Sequence, residues 1–182
     1  MDALKFEDFK YYTYDDYKMW EGLWELIDGV AYAKAPTPSP KHQRVVANVS
    51  KELDKNFECS NKTCEFYISP IDWKIDETTV VQPDVALFCE EPTKQYFTKT
   101  PPLVVEVLSK ATAYKDVTVK FDLYQKKGVK FYIIIEPEIE IADIFELENG
   151  EYKLLKKCTN KDEFEFEIES NCKTKIDFAK VF

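Results

Sequence analysis

Residues 103–135 read LVVEVLSKATAYKDVTVKFDLYQKKGVKFYIII, and this stretch decides the fold. Its first and last segments, 103–108 and 130–135, carry apolar residues at both odd and even positions. This pattern is typical of strands buried on both faces of a sheet. The segment between them predicts a helix over 113–127 that Gly128 ends. The order strand, helix, strand predicts two parallel strands joined by a right-handed crossover.

The segments on either side add antiparallel strands to this unit. Two short apolar runs joined by Asp28-Gly29 indicate a β-hairpin, and Ser39 followed by Pro40 predicts the start of a helix. Short helices are also expected after Thr13 and at Asp177. The further predicted strands are 23–27, 30–33, 65–68, 71–75 and 80–88, followed by an antiparallel meander over 139–168. The predicted class is α/β, with a mixed sheet, flanking helices and an antiparallel C-terminal meander.

Length and composition predict one domain over residues 1–182. The chain has 182 residues, of which 45% are hydrophobic, so it can bury a substantial core. Its 25 Lys and Arg against 34 Asp and Glu give a formal charge of −9. This balance argues against a protein that holds nucleic acid by bulk electrostatics. It does not exclude a nuclease, because a bound metal ion supplies positive charge locally.

The sequence predicts a cytoplasmic protein with no membrane segment. No apolar stretch approaches the roughly 20 residues that cross a bilayer, and the acidic N-terminal segment does not resemble a secretory signal. The five cysteines are scattered: Cys59 and Cys64 are too far apart for a redox pair, and no second pair follows at zinc-finger spacing. The single His42 cannot complete a usual zinc site. We therefore expect ordinary reduced thiols.

Two acidic residues stand out in apolar surroundings. Glu106 lies inside the strand 103–108, where a carboxylate costs several kcal/mol, roughly, unless it is paired, neutralised or bound to metal. Asp84 follows Pro83, whose missing N–H interrupts a strand ladder and favours a bend. Each has a plainer interpretation: Glu106 is a buried Glu that is satisfied by a Lys or Arg or lies near the strand end where water reaches it, and Asp84 marks a turn. Together they can converge on one divalent ion, which prefers oxygen ligands.

The helix after Glu106 carries the third element of this pattern. Asp116, Lys120 and Tyr124 recur at intervals of four and share one helix face. A solvated face with an Asp–Lys pair explains this spacing equally well. Because the helix follows Glu106 directly, its first turns must lie near the carboxyl end of that strand, where open α/β sheets place ligands.

Taken together, these residues resemble a known family. The chain is similar, over about residues 11–137, to the Uma-type bacterial proteins described as putative restriction endonucleases, within the PD-(D/E)XK nuclease superfamily. The matching positions are Gln82-Pro83-Asp84, residues 104–109, Asp116, Lys120, Tyr124, residues 128–133, residues 24–29 and His42.

The resemblance implies a restriction-endonuclease-like fold and specific roles. It implies that Asp84 and Glu106, with a backbone carbonyl near Val107, hold Mg²⁺ or Mn²⁺. The superfamily lysine normally stands two residues after the Glu, but Leu108 occupies that position, so Lys120 on the helix is the matching residue. Glu25 is implied as a further acid near the metal. The accessory positions are His42, Gln82, Asp116 and Tyr124, and for His42 a capping role remains open.

Three functions follow as hypotheses. The first is a metal-dependent endonuclease that hydrolyses phosphodiester bonds of nucleic acid, with DNA expected as the substrate. The second is a nuclease-like binding or regulatory module with little catalysis. The third is an oligomeric structural protein whose acidic cluster only stabilises the sheet. A homodimer is expected for a nuclease, because two sites cut two strands, and the C-terminal sheet edge is a possible pairing surface.

Overall fold

The computed structural model describes residues 11–34, 37–92, 94–109, 113–168 and 171–182. The helices are α1 Tyr14–Tyr17, α2 Pro40–Lys55, α3 Ala113–Val117 and α4 Val119–Lys127, followed by a 3-10 turn at Phe178–Lys180. The strands are β1 Trp24–Ile27, β2 Val30–Ala33, β3 Cys64–Ile68, β4 Asp72–Asp76, β5 Thr79–Val81, β6 Val85–Cys89, β7 Tyr96–Phe97, β8 Leu103–Val107, β9 Phe131–Glu136, β10 Ile141–Glu148, β11 Glu151–Cys158, β12 Glu163–Ile168 and β13 Cys172–Asp177.

The central element is a six-stranded sheet in the order β11-β10-β9-β8-β6-β3. Strands β8 and β9 are parallel neighbours, as the strand–helix–strand order predicts, and the other pairs in this sheet are antiparallel. A second sheet has the order β2-β1-β5-β4-β7, and β12 pairs with β13. The α/β class with mixed sheets is therefore confirmed.

The crossover between β8 and β9 differs in detail from the prediction. In place of one helix over 113–127, α3 and α4 are separated at Thr118, whose φ of −127° and ψ of −76° are not helical. Gly128 ends α4 in the left-handed conformation with φ +82°, as predicted. The break leaves Asp116 on α3, and Lys120 and Tyr124 on α4.

The side-chain alternation of β8 decides where its acidic residue points. Leu103, Val105 and Val107 belong to an apolar cluster that includes residues of α2 and of the C-terminal strands. Val104 belongs to a second cluster, which includes Leu123 and Tyr124 of α4. Because alternate residues of a strand face the same side, Glu106 faces the side of Val104 and α4.

The predicted strand over 80–88 is wrong as a single strand. Residues Gln82, Pro83 and Asp84 separate β5, in the smaller sheet, from β6, in the six-stranded sheet. Pro83 has no N–H to donate to a ladder, which is consistent with the predicted bend at this point. The link between the two sheets thus carries Asp84.

The C-terminal part divides differently from the predicted meander. Strands β10 and β11 form the expected hairpin, whose turn has Asn149 and Gly150 at positive φ. Strand β12 leaves that sheet and pairs with β13, which was not predicted. The signal for β13 was present, since Thr174 and Ile176 are buried and alternate with exposed Lys173 and Lys175.

The cysteine prediction is also corrected. Disulfides join Cys59 to Cys172 and Cys64 to Cys89, and Cys158 is buried and free. These partners are 113 and 25 residues apart, so sequence spacing carried no signal for them. Within the described ranges, every helix is too short or too polar to pass through a bilayer.

Candidate active site

Glu106 is the centre of a buried polar cluster between the six-stranded sheet and α4. Its residue surface is 2% exposed. Lys120 Nζ lies 2.7 Å from Glu106 Oε1, and the Tyr124 hydroxyl donates to the same oxygen at 2.8 Å. The two residues that share a helix face with Asp116 in the sequence therefore both reach Glu106.

Lys120 joins Glu106 to a second carboxylate. Its side chain is 2% exposed, and Nζ also lies 2.9 Å from Glu25 Oε1. Asp116 Oδ1 is 3.6 Å from the same nitrogen. The solvated-face interpretation of this helix is therefore wrong, because the ammonium group is enclosed by three carboxylates.

Glu25 is held by donors at both of its oxygens. The backbone N–H of Gln82 donates to Oε1 at 2.9 Å, and the ammonium group of Lys115 contacts Oε2. Glu25 comes from β1 in the smaller sheet, so it links that sheet to α3 and α4. Because these contacts are all made to donors, Glu25 is well placed to orient Lys120.

Asp84 lies next to Glu106 on the neighbouring strand side of the β6–β8 ladder. In the β6–β8 ladder Val85 pairs with Val105, and extending this antiparallel register by one residue places Asp84 opposite Glu106. The N–H of Val107 donates to Asp84 Oδ2 at 2.9 Å. The bend after Pro83 therefore brings the Asp carboxylate to the end of β8, beside the residue that follows Glu106.

His42 belongs to the same cluster. It lies in the first turn of α2, where its N–H donates to the Ser39 hydroxyl at 3.1 Å, as expected of a residue near a helix cap. Its Nε2 is 3.3 Å from Asp84 Oδ2, and it also has a hydrogen bond with the backbone of Val107. The backbone of His42 thus takes part in capping, and its side chain contacts Asp84.

The electrostatic environment shifts the pKa values of the acidic residues in different directions. Burial raises the pKa of Glu106 well above its usual range, against the opposing effect of Lys120. Burial would also raise the pKa of Glu25, but the charges of Lys120 and Lys115 hold it below its ordinary value. Burial acts the same way on Asp84, where the hydrogen bond from His42 and the charge of Lys34 keep the pKa low. Glu25 and Asp84 therefore stay ionised, and Glu106 takes up a proton most easily.

Gln82 connects the cluster to a second polar group. Its side-chain Nε2 donates to Asp72 Oδ1 at 2.8 Å and to the Tyr17 hydroxyl at 3.2 Å. Its backbone carbonyl accepts from Lys34 Nζ at 2.8 Å. Gln82 thus fixes the backbone next to Asp84, and its side chain points away towards Asp72.

The structure brings together the predicted residues Asp84, Glu106, Lys120, Glu25, Val107, His42, Asp116 and Tyr124, with Gln82 at the border. Sequence reasoning missed Lys115 and Lys34. Lys115 is 8% exposed and contacts Glu25, but as the neighbour of Asp116 it had no distinctive periodicity. Lys34 follows β2, and only the folded chain shows that it reaches Gln82 and Ser69.

The donor set suits a divalent cation. Four acidic side chains, Glu25, Asp84, Glu106 and Asp116, are buried around three lysines, Lys34, Lys115 and Lys120. The formal charges of these seven side chains sum to −1. Carboxylate and backbone oxygens are the ligands that Mg²⁺ and Mn²⁺ prefer. An added cation would favour the ionised form of Glu106, which burial alone opposes.

Comparison with known proteins identifies a family for the chain. The family model Uma2, described as "Putative restriction endonuclease", matches residues 13–169. This chain belongs to the Uma2 family. Its match includes every residue of the cluster described above. A search of curated proteins found none that matches.

A solved structure shares the fold of this Uma2 protein. It is the crystal structure of a putative nuclease belonging to DUF820 from Anabaena variabilis ATCC 29413. The two superpose with a TM-score of 0.62 at 17% sequence identity, over 78% of this chain and 83% of the other. The expected nuclease-like fold is therefore confirmed, and a nuclease is the activity class that the family supports.

Proposed function

We propose that this Uma2 protein is a metal-dependent endonuclease that hydrolyses phosphodiester bonds of nucleic acid, with DNA as its first candidate substrate. The observation that carries the proposal is the position of Asp84 opposite Glu106, with Lys120 in direct contact with Glu106. Two carboxylates on neighbouring strands and a lysine on the helix beside them can together bind a metal ion and stabilise the charge that develops in phosphodiester hydrolysis.

Each residue receives a role from its contacts. Asp84, Glu106 and the backbone carbonyl of Val107 are the proposed ligands of Mg²⁺ or Mn²⁺. When bound, such an ion neutralises phosphate charge and lowers the pKa of a coordinated water. Lys120, next to Glu106, orients the attacking water and offsets negative charge in the transition state. Glu25 is then a positioning residue for Lys120, and His42 orients Asp84.

Lys34 and Lys115, together with a bound divalent cation, would supply local positive charge for an anionic substrate in spite of the net charge of −9. The charges of Lys34 and Lys115 act on Asp84 and Glu25, respectively. Lys115 also retains 10% of its side-chain exposure, more than Lys120 at 2%. A phosphate group would therefore reach Lys115 before it reaches Lys120.

One observation favours the alternative of a binding or regulatory module with little catalysis. Glu106 and Lys120 are 2% and 1% exposed, so the substrate has little direct access to them in this conformation. Asp84 and His42 keep 12% and 9% of their side-chain surface exposed, so this is the more accessible side of the site. We place the approach of the phosphate on that side.

The test is a cleavage assay with the wild-type protein. Supercoiled plasmid, single-stranded DNA and RNA are incubated with Mg²⁺, with Mn²⁺ and with excess chelator. The proposal predicts nicks that need the metal and disappear with chelator. Binding of nucleic acid without cleavage of any substrate would favour the regulatory module.

We also propose a homodimer formed through the outer edge of the six-stranded sheet, in a cytoplasmic protein. Strand β11 is an edge strand of this sheet, and it exposes Leu154 and Leu155 at 52% and 41%. An edge strand with apolar side chains favours pairing with another strand.

We expect Leu154→Lys to shift the protein to the monomer, because it places a charge in this edge. Ile139→Lys is the control, since Ile139 is 65% exposed and lies outside the edge strand. Light scattering coupled to size exclusion measures the mass. A wild-type monomer, or a dimer that Leu154→Lys leaves intact, would exclude this interface.

A further inference from the structure

Four cysteines from distant parts of the chain meet on the α2 side of the large sheet. Cys59 follows α2, Cys64 begins β3, Cys89 ends β6 and Cys172 begins β13. The sulfurs of Cys59, Cys64 and Cys172 lie within 4.8 Å of one another. Cys89 is bonded to Cys64, so its sulfur lies next to this group of three without being part of it. The fifth cysteine, Cys158, is buried and forms no disulfide.

Backbone pairing explains why these four side chains converge. Cys64 and Cys89 are direct partners in the β3–β6 ladder. The bridge between Glu58 and Lys173 places the next residue, Cys59, beside the preceding residue, Cys172.

A turn at Asn61 joins these two pairs. The Thr63 N–H donates to Asn61 Oδ1 at 3.1 Å, and the Cys64 N–H donates to the Asn61 carbonyl at 3.2 Å. Backbone hydrogen bonds in the β3–β6 ladder, the Glu58–Lys173 bridge and the Asn61 turn therefore hold these cysteines close together.

Two disulfides have no need to be in contact with each other. A tetrahedral ion with four thiolate ligands, in contrast, needs all four sulfurs around one point. The spacing of Cys59 and Cys64, with four residues between them, lies within the range usual for zinc ligand pairs. We propose that in the reduced protein Cys59, Cys64, Cys89 and Cys172 bind one Zn²⁺ ion as a structural four-thiolate site.

This site is separate from the proposed nuclease centre. Cys89 and Asp84 lie at opposite ends of β6, five residues apart, which corresponds to about 16 Å at the usual rise of a strand. Sulfur ligands prefer Zn²⁺, whereas the carboxylates around Glu106 prefer Mg²⁺ or Mn²⁺. The zinc would connect α2, the β3–β6 edge and the β12–β13 hairpin, and its role is stability.

The experiment measures metal in protein that is purified under reducing conditions, without chelator, from zinc-supplemented cells. We expect one zinc per chain by elemental mass spectrometry. After exchange, Co²⁺ should give the intense absorption of a tetrahedral thiolate complex. Cys158→Ser should keep both properties, as should Asp84→Asn combined with Glu106→Gln. Cys89→Ser and Cys172→Ser should lose most of the zinc.

Zinc content and Co²⁺ absorption of the wild type test the site even if a variant does not fold. A folded, reduced wild type that binds neither zinc nor Co²⁺ at sulfur would overturn it. The same holds if Cys172→Ser folds and retains one zinc per chain. Thiol trapping at cell lysis, followed by denaturation, gives a third test: five reactive thiols after zinc removal support the site, and a single thiol would instead show two disulfides in the cell.

Discussion

Glu106→Gln is expected to reduce metal-dependent cleavage by roughly a hundredfold or more, because several kcal/mol of metal and transition-state stabilisation depend on this charge. Gln keeps the size of the side chain and an oxygen that accepts from Tyr124. It removes the negative charge that the metal and Lys120 need. Asp84→Asn should have an effect of the same order, because Asp84 supplies the opposite carboxylate.

The matched control is Glu146→Gln. Glu146 also lies on a strand of the six-stranded sheet and pairs with a lysine, with Lys130 Nζ 3.9 Å from its carboxylate. Initial rates of plasmid nicking in Mn²⁺ give the comparison, with circular dichroism as a check of folding. Equal rates for wild type and folded Glu106→Gln would remove Glu106 from the mechanism.

Lys120→Met is expected to destabilise the protein by about 3–5 kcal/mol, because it leaves buried carboxylates without their cation. Lys120 Nζ contacts both Glu106 and Glu25, and all three side chains are at most 3% exposed. Urea unfolding monitored by fluorescence measures the change. Adding Glu106→Gln to Lys120→Met should recover part of the loss, since it removes one of the unpaired charges.

Lys127→Met is the control on the same helix. Its ammonium group pairs with Asp76 at 3.4 Å, and its side chain is 36% exposed. Surface pairs of this kind contribute about 0–1 kcal/mol. If Lys120→Met lowered the free energy of unfolding no more than Lys127→Met does, the contacts of Lys120 with Glu106 and Glu25 would not stabilise the fold.

The parts of the fold that could be predicted from sequence are those with a local signal. Strands β8 and β9 are long apolar runs, Gly128 ends a helix, and Asp28-Gly29 forms a tight turn. The break at Thr118 lies in the β-branched run Val117-Thr118-Val119, whose low helix propensity is too weak a signal to predict a break by itself. The extent of a single domain over 1–182 stays a prediction.

The candidate site shows the same division. Glu106 and Asp84 were found because a carboxylate among apolar strand residues needs a partner. Lys120 depended on the family resemblance, since helical spacing alone fits an exposed face equally well. Lys115, Lys34 and the four-cysteine cluster were missed because they meet only through pairing between distant segments.

A crystal soaked in Mn²⁺ shows whether Asp84 and Glu106 together hold a divalent ion. Anomalous scattering locates Mn²⁺ independently of any assumption about ligands. We expect one site between the Asp84 and Glu106 carboxylates, next to the Val107 carbonyl, that is absent in crystals of Glu106→Gln. Mn²⁺ bound only elsewhere, or an unchanged site in the Glu106→Gln crystals, would contradict the account.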